Sequence, residues 1–242
     1  MPADPTEISI DNSAVVLIDH QPWVAFMLQI DHTLMLNNVT TLARAAKAVG
    51  VPTVLTTVAA KGTSPLADPI FTQISDVFPE ITPIDRTTTA AWSDPNLRDA
   101  VAATGRRKLV MAGLSTEVCL AQTVLGALKD GYEVFFVSEC SGGLTPEAHE
   151  DGKTRMIQAG ARPVSVSVLI SEWTPVVTSP ERAKLMNVML ETGGSVSLAM
   201  QYVMAQTDAG IPRTSPSRSR LRDPPGRAGG EGARRRRALP GA

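Results

Sequence analysis

The stretch "RKLVMAGLSTEVCLAQTVLGALKDG", residues 107–131, decides the fold that the sequence predicts. An apolar segment ends at Gly113, a short loop with two hydroxyl residues follows, and an apolar helical pattern then runs to Gly131. A continuous apolar segment of this length is typical of a strand buried on both faces of a parallel sheet. Cys119 follows the loop directly, so it is either a small buried apolar residue or a nucleophile at a helix N-terminus.

The same order of strand and helix recurs along the chain. Four further strands are predicted at residues 13–19, 51–59, 132–139 and 161–170. Helices are predicted at residues 33–50, 94–105 and 145–160, and again over residues 180–205 with an interruption at Gly193 and Gly194. Strands that alternate with helices of about 10 to 16 residues indicate an α/β fold with three layers, α/β/α, around an open and mostly parallel sheet.

Composition and length favour one globular domain, which we place at residues 8–205. The chain has 242 residues, of which 43% are apolar and 19% are charged. Its two cysteines make no disulfide framework, and no apolar run approaches the roughly 20 residues of a membrane span. The first residues lack the basic start and apolar block of a signal peptide. We therefore expect a soluble, cytoplasmic protein without a membrane partner.

Residues 206–242 differ from the rest in composition. They are rich in Arg, Pro and Gly, and from Thr207 onward nine arginines stand against three acidic residues. A segment with so few large apolar side chains is expected to be disordered. The run Arg234–Arg237 could contact nucleic acid or an acidic membrane, or be a solvated appendage. Because no aromatic side chains accompany the arginines, we expect no nucleic-acid partner.

Two polar groups are predicted at one edge of the sheet. Asp19 ends the first strand, and the loop Gly113–Cys119 follows another strand. If those strands are neighbours, both groups face one crevice at the carboxyl ends of the strands, where open α/β sheets bind ligands. Backbone N–H groups at the start of the helix favour a Cys119 thiolate and could hold an oxyanion. Asp19 could accept the thiol proton and later return a proton to a leaving group.

Four segments of the chain resemble the isochorismatase-like cysteine hydrolases: "VLIDHQ" (16–21), "TGRRKLVMAGLSTEVCLA" (104–121), "GYEVFFVSECSGG" (131–143) and "AHEDGKTRMIQAGARPV" (148–164). The resemblance covers about residues 10–200. It implies an Asp–Lys–Cys triad on a Rossmann-like sheet, in which Asp19 matches the aspartate and Cys119 the nucleophile. It also implies a cis peptide bond between Leu114 and Ser115, and an oxyanion hole formed by the N–H groups of Ser115 and Cys119.

The sequence departs from the family pattern at the lysine. In "DRTTTAAW" (85–92), Arg86 stands at the position of the family lysine, and Ala90, Ala91 and Trp92 match the small and aromatic residues that follow it. Arginine keeps the positive charge but cannot give up its proton. Lys61, in the loop after the second predicted strand, is the alternative cation.

The remaining candidates belong to the surroundings of the site. Gln21, Trp23, Trp92 and Thr116 are predicted to line a substrate pocket, and Cys140 is predicted to be structural. The histidines lack the spacing of metal ligands: His20 directly follows Asp19, and adjacent residues of a strand point in opposite directions. His149 is interpreted as a surface or interface residue. We expect neither a metal nor another cofactor.

The sequence thus predicts a hydrolase that cleaves a small amide, or an ester, through a thioester on Cys119. A variant of this prediction, cleavage of an isochorismate vinyl ether, does not need the cysteine. The alternative is a catalytically impaired family member that serves as a ligand-binding or oligomeric scaffold, and the arginine at position 86 motivates it. The resemblance further implies a homo-oligomer with a small-molecule substrate, whose identity the sequence leaves open.

Overall fold

A computed structural model describes residues 8–62 and 68–208 of the chain. Within them, six strands form a single sheet in which every neighbouring pair is parallel. The strands are β1 (Ser13–Ile18), β2 (Thr53–Val58), β3 (Ile84–Arg86), β4 (Lys108–Gly113), β5 (Glu133–Phe136) and β6 (Arg162–Pro163).

Nine α-helices of the described part of the chain accompany the sheet: α1 (Pro22–Phe26), α2 (His32–Val49), α3 (Thr72–Ser75), α4 (Pro95–Ala103), α5 (Ala121–Lys129), α6 (Pro146–Gln158), α7 (Val166–Trp173), α8 (Pro180–Thr192) and α9 (Ser195–Asp208). Short 3-10 turns occur at Ala91–Ser93 and Ser138–Cys140, and one π-helical turn at Thr116–Leu120 directly precedes α5. None of the helices in the described residues is long and apolar enough to span a membrane.

The sheet is buried on both faces, which confirms the predicted three-layer architecture. All six residues of β1 and all six of β4 are buried. Alternate residues of β1 belong to different cores: Val15 and Leu17 pack with α2, α7 and α8, whereas Val16 and Ile18 pack with α4, α5 and α6. Successive side chains of a strand point to opposite faces, so a sheet covered by helices on both sides needs these apolar runs.

The order of the strands is β3-β2-β1-β4-β5-β6. This is the order of the Rossmann-like doubly wound sheet, and the chain reverses its direction of winding between β1 and β4. The two strands that were predicted to carry the chemistry are therefore direct neighbours, with Ile18 paired to Gly113 at their carboxyl ends.

The predicted strand at residues 161–170 is wrong over most of its length. Only Arg162 and Pro163 pair with the sheet, and α7 begins at Val166. The Ser165 side chain accepts a hydrogen bond from the Val168 N–H and caps this helix. Val166, Leu169, Ile170 and Trp173 are buried at the spacing of a helical face, a period hidden by the β-branched residues around them.

The sequence also failed to predict β3. With three residues, this strand is too short to show a period, yet it places Arg86 at the edge of the sheet beside β2. The helices that were predicted from their end signals are confirmed: Asp31, Asp94 and Thr145 cap α2, α4 and α6.

The chain divides into two compact units, Met1–Val203 and Met204–Ala242. Of the second unit, the structure describes only the end of α9. The domain boundaries at residues 8 and 205 stay predictions, and the predicted disorder of the Arg/Pro/Gly-rich tail concerns residues that, after 208, lie outside the described part of the chain.

Replacement of Gly126 by alanine is expected to destabilise the protein, although alanine is the better helix former. A Cβ atom at position 126 would lie 2.6 Å from Cδ1 of Trp92, whose ring is fixed by a 2.8 Å hydrogen bond to Asp130 and by an edge contact with Tyr132. Overpacking of this kind costs about 1–3 kcal/mol, which urea unfolding would measure. In a Trp92→Gly background, which removes the Cβ, Cγ and Cδ1 atoms that lie within 2.8 Å, the cost should shrink, and an unchanged cost would contradict the assigned contact.

Candidate active site

The candidate site lies where β1 and β4 end side by side. A Cβ atom on Gly113 would be 2.9 Å from Cβ of Ile18, so the close approach of the two strands at this point requires a glycine. Two segments leave these strands side by side. One begins with Asp19, and the other begins with Leu114 and Ser115. This arrangement confirms that the two strands are neighbours, so Asp19 and the loop before Cys119 leave the sheet at the same edge.

Asp19 directly follows β1 and has a left-handed backbone, with a φ of 56°. Residues other than glycine adopt this conformation at a cost of about 1–3 kcal/mol, and such positions are concentrated at functional sites. Its carboxylate is fully buried and well supported: Thr56 Oγ1 donates to one oxygen at 2.9 Å, and Arg86 Nη2 donates to the other at 2.6 Å. The thiol of Cys119 is close enough to this carboxylate to lower its pKa.

Arg86, the last residue of β3, is the cation that pairs with Asp19. Both side chains of this ion pair are completely buried. The same Nη2 atom also donates to the Thr89 carbonyl oxygen at 3.1 Å, whereas Nε and Nη1 have no hydrogen-bond partner among the described residues. Lys61 is exposed, and its backbone N–H donates to the Asp85 carboxylate. The structure therefore places Arg86, and not Lys61, beside Asp19.

Cys119 lies in the π-helical turn Thr116–Leu120, which forms the first turn of the helical segment after β4. The Leu114–Ser115 peptide bond, for which the resemblance implies the cis form, is cis in the structure. The N–H groups of Thr116 and Leu120 donate to the carbonyl oxygens of Gly142 and Ser115. In the described part of the chain, no backbone carbonyl outside the turn accepts from the N–H of Ser115 or Cys119.

Burial controls the protonation of the site. It raises the pKa of Asp19 above 3.8, and the nearby charge of Arg86 opposes this effect. Burial, followed by the negative charge of Asp19, raises the pKa of the Cys119 thiol to about 12. The charge of Arg86 opposes both effects and favours the thiolate.

Three of the four predicted pocket residues have other contacts. The Gln21 carboxamide accepts from the Val58 N–H and donates to the carbonyl oxygens of Val58 and Asp68, so it ties the Asp19 loop to the end of β2. Trp23, on α1, is 41% exposed and is the member of the set that solvent reaches.

Trp92 and Thr116, which were predicted to line the substrate pocket, also contact other residues. The Trp92 ring packs against Gly126 and donates to Asp130 near the end of α5, which is the opposite end of the helix from Cys119. Thr116 is completely buried, and its hydroxyl is 2.8 Å from Nδ1 of His149 on α6. Residue type and proximity in sequence suggested a pocket, but the direction of each side chain is set by packing.

Cys140 and His20 form a structural contact behind the site. Cys140 is completely buried, and burial raises the pKa of its thiol far above the usual value. His20 is completely buried as well, its Nε2 is 2.9 Å from the Cys140 carbonyl oxygen, and burial lowers its pKa to about 4. A neutral His20 thus holds the end of β1 to the segment after β5. Within residues 8–62 and 68–208, no His, Cys, Asp and Glu side chains group as metal ligands would.

Two site residues were missed by the sequence interpretation. Thr56, in β2, supports Asp19 through a partner strand that the sequence does not identify as a neighbour. His149, interpreted as a surface or interface residue, is half-buried, and its Nδ1 is 2.8 Å from the hydroxyl of Thr116 in the turn that carries Cys119. The signal that could have indicated it is its place just after the Thr-Pro helix start that follows β5, on the same edge of the sheet as Cys119.

Comparison with known proteins places this geometry in a family. Residues 13–167 match the model of the isochorismatase domain. The chain is 34% identical to the probable hydrolase YcaC of Escherichia coli strain K12 over 154 residues, which are 63% of this chain and 73% of that protein. The crystal structure of Escherichia coli YcaC, described as an octameric hydrolase of unknown specificity, is similar with a TM-score of 0.78 and 28% identity, over 85% of this chain and 98% of that one. The structure of YcaC from Pseudomonas aeruginosa, solved with hexane-2,5-diol and covalent acrylamide, is similar with a TM-score of 0.77 and 26% identity. The match covers 83% of this chain and 98% of that one.

Proposed function

Because this chain belongs to the isochorismatase family of hydrolases, we propose that it cleaves a small amide, or an ester, through a thioester on Cys119. The observation that carries the proposal is the completely buried ion pair of Asp19 and Arg86. It lies at the end of β1, next to the end of β4 and the turn that carries Cys119, and both charges act on the pKa of the Cys119 thiol. A nucleophile next to a base that a third group orients is the arrangement of covalent catalysis.

The first half of the reaction forms the thioester. Asp19 accepts the thiol proton while the sulfur forms a bond to the substrate carbonyl carbon, so a free thiolate need not accumulate. A carboxylate with a raised pKa is suited to this step because it accepts the proton more readily. The N–H groups of Ser115 and Cys119 stabilise the oxyanion. Asp19 then gives the proton to the leaving nitrogen, and the C–N bond breaks.

The second half returns the enzyme to its resting state. Asp19 takes a proton from a water molecule, whose oxygen attacks the thioester carbon. The C–S bond then breaks, the acid product leaves, and the proton returns to the Cys119 sulfur. Arg86 keeps its charge in every step, because a guanidinium does not deprotonate in proteins. Its role is to hold the Asp19 carboxylate in place at 2.6 Å and to balance its charge.

Two properties of relatives support the proposal from outside this chain. The Pseudomonas aeruginosa relative holds covalent acrylamide, and acrylamide is an electrophilic amide that reacts with cysteine. The Escherichia coli relative is octameric, and we propose a homo-oligomer for this chain as well. We further propose that the protein acts on a small molecule in the cytoplasm and needs neither a nucleic-acid partner nor a metal.

Treatment with acrylamide is expected to add one acrylamide mass to the protein, on Cys119. Cys140 should stay unmodified because it is completely buried. Intact-mass spectrometry and peptide mapping would measure the adduct, and a panel of small amides assayed for ammonia release would identify the substrate. An equal adduct on Cys119→Ala would place the reaction elsewhere and contradict the proposal.

One observation favours the scaffold as a second candidate function. Arg86 stands where the family pattern has a lysine, and a guanidinium cannot supply a proton. The same experiment separates the two functions: a folded wild-type protein that gains no adduct and releases no ammonia from any amide would favour a ligand-binding scaffold.

A further inference from the structure

The π-helical turn that carries Cys119 is held from the side by the segment that follows β5. The hydroxyl of Thr116, the first residue of this turn, is 2.8 Å from Nδ1 of His149. Thr116 is completely buried, and His149 is half-buried in the first turn of α6. Burial lowers the pKa of His149, which favours the neutral ring. Its Nδ1 can then accept a hydrogen bond from the Thr116 hydroxyl.

Backbone contacts bring α6 close enough for this hydrogen bond. A Cβ atom on Gly152 would lie 2.9 Å from Cα of Glu117 and 3.2 Å from Cγ2 of Thr116. Gly152 is buried in the middle of α6 and faces the turn. The helix therefore lies directly against the backbone of the turn, and only glycine at position 152 permits this distance.

The loop before α6 fixes the same two residues of the turn. The Thr116 N–H donates to the Gly142 carbonyl oxygen at 2.7 Å, and the Leu144 N–H donates to Glu117 Oε1 at 3.0 Å. A Cβ atom on Gly143 would be 2.9 Å from Glu117 Oε2, so this loop is also seated tightly against the turn. The start of the turn is thus anchored at both the backbone and the side chains, only three residues before Cys119.

We propose that His149 is a positioning residue, which through Thr116 sets the orientation of the turn and hence the place of the Cys119 sulfur relative to Asp19. The inference rests on the proposed role of Cys119 as nucleophile. A π-helical turn is wider than an α-helical one and is rarely stable by itself, so outside contacts must select it. The hydrogen bond from Thr116 is the outside side-chain contact at its first residue. A displacement of about 1 Å in a reacting group can cost about a hundredfold in rate.

The test compares matched variants by the rate at which acrylamide modifies Cys119. Thr116→Val keeps the shape of the side chain and removes the hydroxyl, and His149→Leu removes the ring nitrogen. Both are expected to slow the modification about ten- to a hundredfold. Thr116→Ser and His149→Asn retain a hydrogen-bonding group near the lost atom, and their rates should stay within about twofold of the wild type. The double variant should be no slower than the slower single one, because both single changes break one bond.

A control separates positioning from general stability. Thr174 is buried to a similar degree and donates to the Ile170 carbonyl oxygen at 2.7 Å, but it lies at the end of α7. Thr174→Val should lower the urea midpoint and leave the modification rate unchanged. If Thr116→Val and His149→Leu lower the midpoint but react at the wild-type rate, the role is only structural and the inference is wrong; additive effects in the double variant would also overturn it. A wild-type Cys119 that fails to react refutes the proposed function instead.

Discussion

Replacement of Cys119 by alanine is expected to reduce the hydrolysis of the cognate amide by at least about a thousandfold, because the covalent route is lost with the sulfur. Deletion of the nucleophile in a catalytic group that acts as a unit removes most of its rate acceleration. The fold should tolerate the change, since Cys119 is only partly buried at the edge of a core cluster and the replacement removes a single sulfur atom. The measurement is kcat/KM on the amide found in the ammonia screen.

One companion variant makes this result specific. Cys140→Ala removes the other cysteine of the chain, which is completely buried and bonds to His20 only through its backbone carbonyl. It should therefore keep most of the activity while losing some stability. A Cys119→Ala protein with more than a tenth of wild-type activity would show that the thiol is not the nucleophile, as the vinyl ether variant of the prediction requires.

Replacement of Asp19 by alanine is expected to have the largest effect on stability and to abolish hydrolysis as well. It would leave the guanidinium of Arg86 completely buried without its carboxylate partner. Breaking a buried ion pair from one side costs about 3–5 kcal/mol, because the remaining charge is uncompensated. Urea unfolding would report the loss of stability, and the same ammonia assay would report the loss of activity.

A double variant tests whether the unpaired guanidinium of Arg86 causes the loss of stability in Asp19→Ala. Asp19→Leu combined with Arg86→Met replaces both charges by apolar groups, and a buried ion pair exchanged in this way often leaves stability unchanged or higher. The double variant should therefore be more stable than Asp19→Ala and equally inactive. If it is no more stable than Asp19→Ala, the penalty does not come from the unpaired guanidinium.

The wild-type pH profile follows from the same pair. Asp19 must be ionised to accept the thiol proton, and burial raises its pKa above 3.8. Activity should thus fall as the pH decreases, with a midpoint above the ordinary value for an aspartate.

Much of the architecture could be predicted because it depends on local properties of the chain. Apolar runs such as Ser13–Ile18 are typical of strands in a covered parallel sheet, and Asp94 and Thr145 mark helix starts by their side chains. The rule that ligands bind at the carboxyl ends of such strands was sufficient to bring Asp19 and Cys119 together.

The errors arise where two local patterns compete. The segment at residues 161–170 is rich in β-branched residues, which favour a strand, yet the burial of Val166, Leu169 and Ile170 follows a helical face. Tertiary contacts with the core decide such a case, because burial of the apolar face outweighs intrinsic preference. The three residues of β3 show the other limit: their pairing with β2 has no sequence period to reveal it.

By itself, the sequence determined the parallel α/β sheet and placed two candidate groups, Asp19 and Cys119, at its edge. Only the tertiary structure decided that Arg86 rather than Lys61 pairs with Asp19, that the Gln21, Trp92 and Thr116 side chains point to other partners, and that burial raises the pKa of the Cys119 thiol. The physical reason is the same in each case: the direction of a side chain and the loss of its solvation depend on neighbours that are distant in the chain.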